Sequence, residues 1–242
     1  MDQTPKWPRG LVIVRHGQSA LNVARDLLDA NVEEALRGLR STRDVDIPLT
    51  PAGIWQAQQT GKHFAALEAF DICFTSPYRR AIQTAHEIIA QLARKPAIYK
   101  DNRIREKEFG ILHGYGSGQI RDLFPHEFES REREGKYWYR LPGGENYPDV
   151  EQRVHSFLDR LIRDYGGKRV LVVTHQVPVK IFRALFEHLD EEGVLALEDA
   201  ANCGIEEFAL GTSRALEGRM MLAGYNTVVY DTALMPGADG KA

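Results

Sequence analysis

The chain has little cysteine and no long hydrophobic run. Cys73 and Cys203 are the only two cysteines among 242 residues, and both lie in apolar segments. Two separated thiols do not make a disulfide framework or a metal site, so we expect small buried side chains in a reduced compartment. No apolar run is long enough for a transmembrane helix. The first ten residues, MDQTPKWPRG, lack the apolar core of a signal peptide. We therefore expect a cytoplasmic protein.

The sequence also lacks a strong charge of either sign. It has 31 basic and 34 acidic residues, which gives a net charge of -3. This balance offers no general attraction for nucleic acid or for an anionic membrane, so we expect neither as a partner. Hydrophobic residues make up 43% and charged residues 27% of the chain, which are ordinary globular values and argue against wholesale disorder. The sequence leaves self-association into a homo-oligomer open.

What the sequence does contain is an alternation of strand and helix patterns. Short apolar runs and weaker strand patterns predict strands at 11–14, 71–75, 97–99, 169–174, 204–210 and 219–230. Apolar residues at helical spacing predict helices at 18–29, 51–67, 77–92, 149–165 and 190–197. Thr50 as N-cap and Pro51 at the first helical position mark the start of the second helix. This alternation predicts an α/β fold with a mainly parallel sheet and helices on both faces.

Residues 110–148 break this regular pattern, because they are rich in glycine, proline, charge and aromatics. We interpret them as a lid-like insertion in a single domain that covers 1–242, lying over the mouth of the pocket. The charged run Glu127–Lys136 predicts a solvated face. The Tyr-Trp-Tyr-Arg stretch at 137–140 either stacks on a substrate or covers the core.

Polar residues follow three of the predicted strands. Arg15 and His16 follow the predicted strand 11–14, and His175 follows the predicted strand 169–174. Arg80 lies where the predicted strand 71–75 leads into a helix. Because parallel strands deliver their carboxyl ends to one edge of a sheet, we expect these side chains to converge. Arginines beside helix starts form an anion site that suits a phosphoryl group, and a neutral imidazole there can attack phosphorus. Gly17 allows the tight turn after His16.

An ordered set of motifs resembles that of the histidine phosphatase (phosphoglycerate mutase-like) superfamily. The set comprises R-H-G-x-S-x-x-N at 15–22, L-T-x-x-G-x-x-Q-A at 49–57, S-P-x-x-R-A-x-Q-T-A at 76–85, R-E-x-x-F-G at 105–110, P-G-G-E at 142–145 and V-V-T-H at 172–175. Each motif alone is weak evidence, but the ordered set is highly specific. The resemblance covers roughly residues 10–180 and implies the three-layer fold of that superfamily.

The resemblance implies a role for each central residue. His16 takes the phosphoryl group as the nucleophile. Arg15, Arg80 and His175 hold the phosphoryl oxygens and stabilise the charge of an in-line transfer. Glu106 donates a proton to the leaving oxygen and later acts as the base that activates water.

Other residues complete the expected site. Asn22 adds a hydrogen bond and Gln176 follows the second histidine, so both are candidate phosphate or substrate ligands. Ser19 and Glu145 either line the pocket or cap a loop. We expect no cofactor and no metal, because the arginines would repel a cation and no carboxylate or thiolate lies at ligand spacing nearby.

Several residues are left with two interpretations. Glu108 is off the motif position but close enough to share the acid role, whereas Arg79 is expected to be solvated or to support a neighbour. His113 and His126 belong to the insertion, and for both the sequence leaves contact with the substrate open. Surface or packing positions are expected for His63, His86, His155 and His188.

Departures from the mutases of the superfamily favour a phosphatase. Residues 23–47 lack the F-T-G-W-like stretch of mutases, and Ser117 stands where they have a lysine. Their paired arginines have no counterpart, since Arg131 and Arg133 are separated, and Gln176 stands where they have Gly-Asn. Loss of these substrate anchors should let water reach the phosphohistidine. We therefore favour hydrolysis of a small-molecule or protein phosphomonoester, with mutase-type transfer or non-catalytic phospho-ligand binding as alternatives.

Overall fold

One mixed sheet lies at the centre of the computed structural model, which describes residues 6–26, 37–211 and 218–236 apart from the side chains of Asp26 and Ser117. In these residues six strands lie in the order β3-β2-β4-β1-β5-β6. The strands are β1 Gly10–Arg15, β2 Ile72–Thr75, β3 Ala97–Lys100, β4 Arg169–Thr174, β5 Ile205–Leu210 and β6 Met220–Thr227. The predicted mainly parallel α/β fold is confirmed.

Strand direction changes at one side of the sheet. β3, β2, β4 and β1 are parallel, whereas β5 pairs antiparallel with β1 and β6 pairs antiparallel with β5. An antiparallel edge on a parallel sheet is common, and an apolar strand pattern does not encode direction. The alternation of the sequence therefore could not reveal this edge.

Eight helices with defined bounds flank the sheet in the described residues. They are α1 Ala20–Asp26, α2 Pro51–Ala65, α3 Arg79–Ala90, α4 Ser117–Leu123, α5 Pro125–Trp138, α6 Tyr147–Asp164, α7 Gln176–Glu187 and α8 Glu191–Ala196. Thr50 caps α2 as predicted, since its Oγ1 accepts from the Gly53 amide at 3.1 Å. The last three residues of the predicted helix 18–29 lie outside the described residues, as does part of the segment 23–47.

Helices α4 and α5 occupy the segment that the sequence marked as an irregular insertion. The run Glu127–Lys136 lies on α5 and is largely solvent-accessible, as predicted. The 137–140 stretch is divided between environments. Tyr137 packs on the main core and Tyr139 on a small cluster with Leu112 and Leu141, whereas Trp138 is 54% exposed.

Apolar layers cover both faces of the sheet. Leu11 and Ile13 of β1 face the layer formed with α6 and α7, and Val12 and Val14 face the layer formed with α2 and α3. This two-sided burial explains the continuous apolar run of β1. Cys73 and Cys203 are buried and unpaired, as predicted. Within the described ranges, no helix has the length and apolarity needed to cross a membrane.

The register of β1 and β4 brings two histidines together. Arg15 pairs with Thr174, so the residues that follow, His16 and His175, leave adjacent strands at the same level. The His16 amide donates to the Thr174 carbonyl at 2.9 Å. The turn after His16 requires glycine, because a Cβ on Gly17 would lie 2.4 Å from the Gly53 carbonyl oxygen.

Candidate active site

His16 has one nitrogen prepared for nucleophilic attack. Its Nδ1 lies 2.7 Å from the Gly17 carbonyl oxygen, which can only accept a hydrogen bond. The proton is therefore assigned to Nδ1 and the lone pair to Nε2. Nε2 accepts from Nε of Arg80 at 3.3 Å. Nε2 of His16 therefore lies beside the Arg80 guanidinium, which can also bind an anionic group.

The environment keeps both histidines neutral. Burial, with the charges of Arg80 and Arg15, lowers the pKa of His16 well below its ordinary value. Burial, with Arg80 and His16, lowers the pKa of His175 in the same way. The His16 ring is therefore unprotonated at neutral pH, which is the form that can attack phosphorus.

His175 is brought to His16 as the sequence predicted. The rings of His16 and His175 meet edge-on with centroids 5.0 Å apart. The ring of Tyr78 contacts the His175 ring with the same distance between centroids. Nε2 of His175 lies 2.7 Å from Ser76 Oγ. Its Nδ1 is buried and has no hydrogen-bond partner among the described residues, so it has unused capacity for an oxygen of a bound group.

A cavity of about 290 Å³ opens at His16. It is lined by Arg15, His16, Ser19, Leu21, Asn22, Arg25, Asp44, Arg80, Glu106, Phe109, Gln176 and Asp199. These lining residues include every site residue expected from the sequence except Glu145 and His175, and His175 is fully buried against the His16 ring. Arg25, Asp44 and Asp199 had not been foreseen.

Asp44 fixes the orientation of Arg80. Nη1 of Arg80 donates to Oδ1 and to the backbone carbonyl of Asp44, each at 2.7 Å. Both side chains of this ion pair are buried. Nη2 of Arg80 makes no hydrogen bond within the described ranges and is the group left for an anion. No local signal in the charged segment around Asp44 distinguishes this aspartate from its neighbours.

Arg15 and Asn22 supply further donors. Nη1 of Arg15 donates to the Ala200 carbonyl, and its buried Nε has no partner in the described part of the chain. Oδ1 of Asn22 accepts from the Ser19 amide and hydroxyl and from Asn202. The amide NH₂ of Asn22 is therefore the part left to face an anion. Ser19 lines the cavity and also caps α1. The two positions that the sequence left open for Ser19, in the pocket wall and at a cap, are therefore compatible.

Glu106 and Glu108 lie in different surroundings. Glu106 lines the cavity and is 8% exposed, and its Oε1 accepts from the amides of Lys107 at 2.8 Å and Val177 at 3.4 Å. Burial raises the pKa of Glu106, against the opposing effects of the Lys107 amide and Arg80. Glu108 does not line the cavity and accepts from the Tyr78 hydroxyl at 3.4 Å.

Glu145 lies outside the cavity and caps the loop that carries Glu106. Its carboxylate accepts from Arg105 at 2.6 Å, from Arg153 at 3.0 and 3.1 Å, and from the Glu108 amide at 3.0 Å. Of the two alternatives left open for Glu145, these contacts agree with the loop cap, and Glu145 does not line the cavity at His16. Its partners lie up to 40 residues away along the chain, which local sequence cannot reveal.

The remaining candidates are not brought to His16. Arg79 is exposed, and neither His113 nor His126 lines the cavity. The expected surface histidines are all exposed, namely His63, His86, His155 and His188.

Comparison with known proteins gives one family-level match and several related chains. The family model of the histidine phosphatase superfamily (branch 1) matches residues 11–216. Phosphoglycerate mutase-like protein AT74H from Arabidopsis thaliana is 30% identical over 229 residues, which cover 85% of this chain and 75% of that protein. A 2,3-bisphosphoglycerate-dependent phosphoglycerate mutase from Cytophaga hutchinsonii is 30% identical over 209 residues, covering 86% of each.

A solved structure shares the fold. The mycobacterial glucosyl-3-phosphoglycerate phosphatase superimposes with a TM-score of 0.69 at 23% identity, over 90% of this chain and 99% of that one. Mutases and phosphatases thus both occur among the similar proteins.

Proposed function

Because this chain belongs to the histidine phosphatase superfamily, we propose that it hydrolyses phosphomonoesters through a phosphohistidine at His16. The observation that carries the proposal is the unprotonated Nε2 of His16, held by Arg80 in the same cavity as the buried Glu106 carboxyl. Nucleophile, anion donors and proton donor are thereby within one small space.

In the first step, Nε2 of His16 attacks phosphorus in line with the alcohol oxygen. The bond from phosphorus to that oxygen breaks as the bond to nitrogen forms, and Glu106 gives its proton to the departing oxygen. Arg15, Arg80 and the Asn22 amide hold the other phosphoryl oxygens and stabilise their charge. Nδ1 of His175 has the capacity for a further hydrogen bond.

In the second step, water attacks the phosphohistidine. The Glu106 carboxylate takes a proton from this water, the bond from nitrogen to phosphorus breaks, and inorganic phosphate leaves. His16 returns to its neutral form and Glu106 to its protonated form, so the cycle closes without a further reactant.

The space beside His16 supports hydrolysis over mutase-type transfer. A mutase must bind a phosphoglycerate tightly at the phosphohistidine and hold the bisphosphorylated intermediate between the two transfers, while water is kept out. Here the cavity adjoins a further space of about 610 Å³, which exceeds what a three-carbon acid would fill. Product release and water entry are therefore favoured.

Trapping the intermediate tests the nucleophile. Rapid quench of the protein with ³²P-labelled substrate should yield acid-labile, base-stable label in the wild type and none in His16→Ala. His86→Ala, which changes an exposed histidine, should label normally. Chelator should leave turnover unchanged. Full turnover by His16→Ala would contradict the proposal, and isomerisation of 3-phosphoglycerate with a bisphosphate primer, without phosphate release, would assign the mutase reaction instead.

A further inference from the structure

The larger cavity adjoins the cavity at His16. Arg25, Phe109, Gln176 and Asp199 line both spaces. A substrate whose phosphoryl group meets His16 therefore extends its alcohol part into the space of about 610 Å³. The lining of this second space should decide which alcohols are accepted.

Positive charge dominates that lining. Its cations are Arg25, Lys107, Arg131, Lys136 and Lys180. Among the described residues that line it, the one carboxylate is Asp199, which pairs with Lys180 at 2.6 Å and accepts from Gln176 at 3.0 Å. Apart from Asp199, no carboxylate among these lining residues faces Arg131 and Lys136.

Arg131 and Lys136 are the clearest source of unpaired positive charge in this cavity. Neither makes a hydrogen bond or an ion pair with any residue that the structure describes. Arg133, on the same helix α5, hydrogen-bonds to Ser130 and Glu134 at the surface and does not line the cavity. Arg131 lies before the kink of α5 at Gly135 and Lys136 follows it, and both line this space without partners among the described residues.

The cations also oppose one another. Burial, with repulsion from Arg131 and Lys136 and against attraction to Glu106, lowers the pKa of Lys107 to about 8. Burial and Lys180 lower the pKa of Lys136. Confining like charges in this way is unfavourable, and an anion placed among them would relieve it.

Apolar side chains form the rest of the wall. The aromatic members are Phe109, Tyr115, Tyr139 and Tyr147, and the aliphatic members are Leu112, Ile120, Leu141 and Val177. Such a wall favours a ligand with an apolar ring or chain over a small polyol, since burying apolar surface is favourable.

We propose that this cavity selects small phosphomonoesters whose alcohol part carries both a ring-sized apolar body and a second anionic group, with Arg131 and Lys136 as receptors of that anion. The anion is a carboxylate or a second phosphate, which share the chemistry that the cations recognise. This selection rests on the proposed phosphatase function, because it requires turnover at His16.

Matched esters test the selection. One pair is 2-phenylethyl phosphate and its 4-carboxy derivative, and a second is adenosine 5′-monophosphate and adenosine 3′,5′-bisphosphate, assayed at the 5′ position. 3-Phosphooxypropanoate carries the carboxylate without a ring. The wild type should prefer the more anionic member of at least one pair by about tenfold or more in kcat/KM, which corresponds to about 1.4 kcal/mol. The pair that shows the preference identifies the anion as carboxylate or phosphate. 3-Phosphooxypropanoate should be a poorer substrate than the carboxylated ring ester.

The double variant Arg131→Gln/Lys136→Gln should abolish this preference, chiefly through KM. The matched control Arg133→Gln/Lys95→Gln removes two exposed cations that do not line the cavity and should keep it. Equal turnover within both pairs, or a preference that survives the double variant, would overturn the proposed selection while hydrolysis itself stands. Failure to turn over any ester, including 4-nitrophenyl phosphate, would instead contradict the phosphatase function.

Discussion

Glu106 and Glu108 belong to one short loop but lie in different surroundings. The side chain of Glu106 is buried in the wall of the catalytic cavity, where two backbone amides hold one carboxyl oxygen. Burial raises its pKa, so the protonated form that a general acid needs persists to higher pH than in an exposed glutamate. Glu108 faces Tyr78 outside this cavity and lacks such an environment.

Replacing each glutamate by glutamine should separate these roles. Glu106→Gln keeps the shape of the side chain but cannot donate an ionisable proton, so kcat/KM for alkyl phosphates should fall by about 10²–10⁴-fold. 4-Nitrophenyl phosphate should lose less in the first step, because its leaving group needs little protonation. Glu108→Gln should cost far less with both substrates. Steady-state kinetics with the two substrates measures this difference.

The pH dependence of activity tests the proton-donor role of Glu106 independently. With alkyl phosphates, wild-type activity should be highest at mildly acidic pH and fall as pH rises through the pKa of Glu106, because the carboxyl loses its proton. This descending limb should be absent from Glu106→Gln and present in Glu108→Gln. A larger loss at Glu108, or a limb that follows Glu108, would move the acid role to that residue.

At the scale of elements, helix α6 holds the loop that carries Glu106. Nη1 of Arg153 donates to the carbonyls of Arg103 and Arg105 at 2.7 and 2.8 Å, and Nη2 donates to the carbonyl of Glu106 at 3.1 Å. The same guanidinium binds Glu145. Since its side chain is only 10% exposed, these bonds are shielded from water, and we expect Arg153 to act as a positioning residue for Glu106, the proposed general acid.

Arg153→Met keeps the length of the side chain and removes its donors, which leaves buried carbonyls unpaired. We expect kcat for alkyl phosphates to fall by about 10–100-fold with little change in KM, since a small displacement of the proton donor is costly. The midpoint of thermal unfolding should also fall. 4-Nitrophenyl phosphate should be affected less than the alkyl esters.

Arg163→Met provides the matched control on the same helix, because Arg163 is exposed and pairs with the adjacent Asp164. It should leave both kinetics and stability close to wild type. Equal losses with alkyl and nitrophenyl esters in Arg153→Met would point to general damage of the fold and remove Arg153 from the positioning role.

At the scale of the whole molecule, we expect Glu206 to make stability depend on pH. This residue of β5 is 1% exposed, and within the described ranges neither carboxyl oxygen has a hydrogen-bond partner. Burial raises its pKa from 4.5 to about 8, with Arg183 opposing and Glu187 adding to the shift. A folded protein therefore holds this carboxyl protonated under conditions where the unfolded chain ionises it.

The sign of the effect follows from this difference. Glu206 contributes its full share of stability below its unfolded pKa, and that share is lost as pH rises through about 8. The side chain in Glu206→Gln cannot ionise. As pH rises from 5 to 9, the free energy of unfolding of this variant should therefore increase relative to that of the wild type, by an amount on the order of a few kcal/mol. Urea unfolding at several pH values measures the difference.

Glu207→Gln changes the neighbouring residue, whose side chain is 40% exposed, and should follow the pH dependence of wild type. Parallel curves for wild type and Glu206→Gln would mean that Glu206 ionises in the folded protein as freely as in the unfolded chain.

The sequence by itself determined the strands of the parallel part of the sheet and most of the candidate active site. The residues that follow parallel strands reach one edge of the sheet whatever the details of packing, which is why Arg15, His16 and His175 could be placed together. Thr50 and Pro51 act within one helical turn, so the start of α2 was equally readable. Motif order added Glu106, whose location in the cavity agrees with it.

Only the tertiary structure decided the partners of these residues. Asp44 lies 36 residues from Arg80, and Glu145 lies 40 residues from Arg105, so which acid meets which arginine depends on how loops and helices dock. The direction of Arg131 into the cavity and the burial of Glu206 depend in the same way on helix and strand packing. A linear pattern records which side chains are apolar or charged, whereas their neighbours across the fold are set by contacts between segments far apart in the chain.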